Sequence, residues 1–84
     1  MRSLHLIRKV SDLLAEESIR AEALDGPVAV ILVQDGVLNH TLFPGEVFVN
    51  QEDLDARAQE SPHPKIDYRE IARLVLEYDR TVVW

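Results

Sequence analysis

Pro27-Val28-Ala29-Val30-Ile31-Leu32-Val33-Gln34-Asp35-Gly36 is the stretch that sets the fold class of this chain. Val28 to Val33 is an unbroken run of six apolar residues, four of them β-branched. A half-buried strand alternates, because successive side chains point to opposite faces. A run without alternation is apolar on both faces, as in the middle of a parallel sheet covered on both sides. Six residues is short for a buried helix, and Gly26-Pro27 before and Asp35-Gly36 after are strong breakers. Val28–Val33 is therefore read as the central strand, with Gln34-Asp35-Gly36 as the turn at its carboxyl end. In open α/β sheets, ligands and catalytic groups gather outside that end. Asp35, Gly36 and the nearby His40 are accordingly the candidate strand-end functional loop.

Before the central strand, Ser3–Ile7 reads as a first strand, with His5 on its less buried face. Ser11 can cap a helix, Asp12 suits its positive end, and no breaker intervenes before Leu24. Val10, Leu13, Leu14, Ala21 and Leu24 keep to one stripe with Glu17 as the one intruder, and Ala15, Ile19 and Ala23 widen the apolar face. Asp25-Gly26-Pro27 ends this helix.

After the central strand, Val37–Phe43 is apolar without a clear period and is at most one or two helical turns. Leu38, Leu42 and Phe43, with Trp84, are the candidate interface residues, because aliphatic and aromatic anchors in exposed positions are typical of interface centres. For Phe43 and Trp84, closing the edges of the core is the alternative. Glu46–Val49 is a third strand. Asn50 caps a polar helix over 51–60, which Ser61-Pro62-His63-Pro64 breaks. Lys65-Ile66 is a short fourth strand. Asp67 and Glu70 sit at capping-box spacing, and Ile71, Leu74, Val75 and Tyr78 recur at helical intervals. Thr81–Trp84 is a last strand. Strand and helix alternate throughout, which implies a single α/β domain over residues 1–84, with a mostly parallel sheet and helices on both faces.

An 84-residue chain that is 46% hydrophobic is expected to leave apolar surface over after folding, so association is expected. The net charge of −6 argues against direct binding of a nucleic-acid backbone. The absence of cysteine excludes a disulfide, a thiolate metal site and a thiol nucleophile in this chain. No secretory signal or apolar span is visible, which implies a cytoplasmic protein without a membrane segment. The three glycines form no phosphate-binding loop, so no nucleotide cofactor is expected from those motifs. His5, His40 and His63 have no metal-ligand spacing. No serine sits in a nucleophile elbow. Acid–base work by Asp35 is open from its position, and so is the plain turn role of an Asp-Gly pair.

Leu4-His5-Leu6-Ile7, Gly26 with the apolar strand and Asp35-Gly36-Val37, Glu46-Val47-Phe48-Val49 with Glu52-Asp53-Leu54-Asp55-Ala56-Arg57, Ile66-Asp67-Tyr68 and Val83-Trp84 occur in this order. In these segments the chain resembles the DsrH/TusB family of small sulfur-relay subunits, within the DsrE/DsrF/DsrH group. The resemblance implies a three-layer α/β/α fold with a five-stranded, mostly parallel sheet. It also implies a cytoplasmic hetero-assembly with DsrE-like and DsrF-like (TusD- and TusC-like) subunits that passes persulfide sulfur along cysteines. The end use is 2-thiouridine formation in tRNA or dissimilatory sulfur metabolism. The optional cysteine of the family falls at Arg20 here, so this chain can carry no persulfide itself. The segment before Glu46 is also shorter than the family's. The expected function is a non-catalytic subunit of such an assembly, without a cofactor. The alternative is a self-associating protein of the same fold with a ligand-binding or regulatory role.

Overall fold

The computed structural model describes residues 1–84. Its strands are β1 (Ser3–Ile7), β2 (Val28–Leu32), β3 (Glu46–Asn50), β4 (Lys65–Ile66) and β5 (Arg80–Val83). They form one sheet in the order β4-β3-β2-β1-β5, and every pair is parallel. β2 is the middle strand and is buried along its whole length, as its unbroken apolar run requires. The helices are α1 (Leu13–Ala23), α2 (Gln51–Ala56) and α3 (Tyr68–Glu77), and a 3-10 helix spans Gln34–Leu38.

Parallel crossovers are right-handed. From β1 to β4 the chain steps across the sheet in one direction, so α1, the 3-10 helix and α2 fall on one face. There Ile7, Ala15, Ile19, Val30, Leu32 and Leu54 share a core. The connection from β4 to β5 returns across the whole sheet and puts α3 on the other face. Ile71 packs there against Leu4, Ala29, Ile31, Val33 and Ile66. The result is a three-layer α/β/α sandwich.

Local chemistry marks most boundaries. Asp12, rather than Ser11, caps α1: its Oδ1 accepts from the Ala15 N–H at 3.1 Å. Asn50 caps α2 by accepting from the Asp53 N–H at 2.9 Å. Asp67 and Glu70 close the capping box of α3. α2 stops four residues earlier than its polar sequence implies, because a Schellman turn ends it. The Ala58 N–H donates to the Asp55 carbonyl and the Gln59 N–H to the Leu54 carbonyl, both at 3.1 Å. Ala58 is held there at φ 50°, in the left-handed region.

Three expectations are corrected. His5 is fully buried rather than on the less buried face of β1. Phe43 is a core residue, packed on the α1 side of the sheet, rather than a surface anchor. The third concerns α1. Its buried residues are Ala15 and Ile19, while Leu13, Leu14 and Leu24 point outward at 72%, 66% and 87% exposure. The broad leucine stripe faces solvent, and the narrower arc of Ala15, Ile19 and Ala23 faces the sheet. Of residues 37–43, Val37 and Leu38 end the 3-10 helix and the rest are irregular.

Two substitutions test the tightest backbone features. A Cβ at Gly36 would overlap the carbonyl oxygen of Ile7, so Gly36→Ala is expected to destabilise the fold by about 2–4 kcal/mol. Ala58→Gly relieves a left-handed alanine and should stabilise it by about 0.5–1 kcal/mol. Urea midpoints measure both.

Candidate functional site

The carboxyl ends of β1, β2, β3 and β5 come together with the loops that follow them. After β2, Gln34 takes φ 51°, an uncommon conformation for a residue with a side chain. It is held by Asp53, whose Oδ2 accepts both the Gln34 N–H and the Tyr68 hydroxyl at 2.8 Å each. Asp53 thereby ties the loop after β2 to α2 and to the start of α3. Arg57 completes the cluster. Its Nε donates to Asp35 Oδ1 at 3.0 Å, and its NH1 group donates to the Asp53 carbonyl at 3.2 Å. Bonding to the Asp53 carboxylate pushes the Tyr68 hydroxyl above its ordinary pKa, since ionisation would set two anions together. The cluster is a clamp made of an acid, a base and a phenol. It holds no activated nucleophile.

Gly36 lets the 3-10 helix approach β1 closely. Asp35 is exposed and engaged by Arg57. His40 is exposed and stands apart from both, lining a cavity of about 130 Å³ with Thr41, Leu42, Glu60 and His63. The strand-end loop residues thus serve three separate places. Leu42 is 86% exposed and Leu38 is half-buried against the core. Arg20 lies on the outer side of α1, 4.0 Å from Glu16. No group of three or more His, Asp or Glu side chains is placed to hold a metal ion.

A second polar cluster lies under α1, with the buried His5 at its centre. His5 Nδ1 accepts the Trp84 indole N–H at 3.1 Å. The two rings are nearly parallel, 19° apart, with centroids separated by 6.2 Å, so they meet edge to edge rather than face on face. Because Nδ1 accepts, the imidazole proton sits on Nε2, in the neutral tautomer. Nε2 faces Glu22 Oε2 at 2.5 Å, close but not aligned as a hydrogen bond, and neither atom has another partner. Arg80 approaches Glu22 Oε1 at 2.7 Å, and the Ser3 hydroxyl donates to the same oxygen at 3.4 Å. Arg8 Nε donates to the Trp84 carbonyl at 2.6 Å and pins the tryptophan in place.

Serine, histidine and glutamate meet here, but the serine bonds the carboxylate and not the imidazole. The imidazole is sealed from solvent. Neither condition suits a nucleophile and its base. The cluster is a structural lock between β1, α1 and β5. Sequence reading puts His5 on the less buried face of its strand and Trp84 at an interface or core edge, and singles out neither Glu22 nor Arg80. A carboxylate inside a helix gives no local sign of which face it takes. Asp53 is legible as a helix-start acid, and Tyr68 as the residue after a cap. Their union has no local signature.

No protein-family model matches this chain, and no curated protein matches it.

Burial holds the His5 pKa below its ordinary 6.5, against the opposing pull of Glu22. The unfolded chain therefore takes up a proton first as pH falls. The stability contributed by neutral His5 is complete above pH 6.5 and declines below it. Asp12, held low by the Ala15 N–H, loses its contribution only below about 3.8, in a separate window. Urea midpoints should fall between pH 7 and pH 5, followed by the fluorescence of Trp84, the only tryptophan. His5→Gln should flatten that slope, and an unchanged slope would contradict the buried neutral imidazole.

Proposed function

We propose that this chain is a non-catalytic subunit of a cytoplasmic sulfur-transfer assembly of the DsrH/TusB type. In that reading it supports cysteine-bearing DsrE-like and DsrF-like subunits that serve tRNA wobble-uridine 2-thiolation or dissimilatory sulfur metabolism. The observation that carries an assembling role is the amount of large apolar surface left open on more than one side. Leu13, Leu14 and Leu24 stand outward on α1, Val75 and Leu76 on α3, and Val83 on β5. A short chain that spends this many aliphatic side chains on its exterior is built to be covered. The sulfur-relay part of the reading rests on the sequence resemblance.

Two features agree with a supporting part rather than a reactive one. There is no thiol anywhere in the chain, and its buried histidine is occupied by Trp84 and Glu22. Arg20, at the family's optional cysteine position, is a surface residue. A guanidinium there can hold an anionic partner group but cannot carry sulfur.

Affinity capture of the full chain from its native source, with mass spectrometry of the intact assembly, tests this. Recovery of cysteine-bearing DsrE-like and DsrF-like proteins in fixed ratio is the expected result. Recovery of this chain alone would overturn the hetero-assembly and leave a self-associating protein of the same fold.

A further inference from the structure

The geometry points to a second copy of this chain as the occupant of the outward face of α1, packed antiparallel across a two-fold axis. On a helical projection Leu13, Leu14, Glu17, Ala21 and Leu24 fall within about one third of the circumference, opposite Ala15 and Ile19. Leu13, Leu14 and Leu24 are largely exposed, Ala21 is exposed, and Val10 just ahead of the helix is 54% exposed. Together they present on the order of 500 Å² of apolar surface, near the top of what one patch on a monomer shows. Two such faces together bury about 1,000 Å², the lower bound for a specific interface.

The charges select the partner and its direction. Glu17 is the only acidic residue within the face, and Arg20, 58% exposed, stands at its border. An antiparallel copy centred between Ser18 and Ile19 sets Leu13 opposite Leu24 and Glu17 opposite Arg20 of the other copy. Symmetry makes each of these pairings twice. A parallel copy would set Glu17 against Glu17. Ala21, the smallest side chain of the face, allows close approach near the middle. The face therefore complements itself in shape and in charge. This inference goes beyond the hetero-assembly reading and needs only the purified chain.

Sedimentation equilibrium tests it. The mass should move reversibly from 9.6 kDa toward twice that value as concentration rises. Leu13→Lys, at an exposed site, should hold the chain at the monomer mass, with its urea midpoint unchanged at dilutions where the parent chain is also monomeric. Glu17→Arg alone should weaken the dimer about tenfold, because it sets two arginine pairs in opposition. Glu17→Arg combined with Arg20→Glu should restore it. A monomer at every concentration, a dimer indifferent to Leu13→Lys, or a double reversal without recovery would overturn the proposal. A monomeric chain that still captures cysteine-bearing partners would overturn the second copy alone. A dimer that captures none would overturn the hetero-assembly alone.

Discussion

Two glutamates, Glu17 and Glu22, set which way α1 faces. The helix offers the sheet two apolar arcs, one rich in leucine and one of Ala15, Ile19 and Ala23. Turning the leucines inward would gain roughly 2 kcal/mol for each of three side chains, but exposing Ile19, Ala15 and Ala23 in exchange leaves a net gain of only about 3 kcal/mol. It would also carry Glu17 into the core without a partner, at an effective cost of several kcal/mol. It would take Glu22 away from His5, whose buried Nε2 has no other partner, and an unsatisfied buried donor costs about 1–3 kcal/mol more. The polar terms win, and the leucines are left outside. The exposed face of this protein is thus a consequence of its buried lock.

The lock reaches further than α1. Trp84 fixes the His5 tautomer, Arg8 holds Trp84, and Arg80 neutralises Glu22. β5 has only β1 as a neighbour in the sheet, so these side chains are what fasten an edge strand. On the opposite flank, Asp53 does the same for the loop after β2 and the start of α3. Both clusters are built from groups that could do chemistry in another arrangement. In both, most of the reactive atoms are engaged by neighbouring groups, and only His5 Nε2 and Glu22 Oε2 face each other without a hydrogen bond.

Much of the fold is legible in the sequence because its signals are local. The doubly apolar β2, the Asn50 cap and the Asp67–Glu70 box each lie within a few residues and mean the same thing in any context. The orientation of α1 was not legible. Glu22 and His5 are 17 residues apart, and nothing in the helix shows that a carboxylate on its weaker apolar arc has a buried imidazole waiting. The same reason hides His5, whose strand reads as half-polar until Trp84, 79 residues away, closes over it. Phe43 followed an irregular segment with no period to assign its face, and the core claimed it. Of the candidate site, the strand-end position of Asp35 and Gly36 is legible, but the union of Asp53 with Tyr68 and with that loop is not.

The orientation of α1 is the point from which both the lock and the docking face follow. A chain without native cysteine allows it to be measured at adjacent positions. Leu14→Cys and Ala15→Cys would each be exposed to a thiol reagent at dilute concentration under native conditions. If α1 faces the sheet with Ala15 and Ile19, Leu14→Cys reacts at the rate of a free thiol and Ala15→Cys only through unfolding. Fast reaction of Ala15→Cys with protection of Leu14→Cys would mean that the leucine face is inside, and would contradict both.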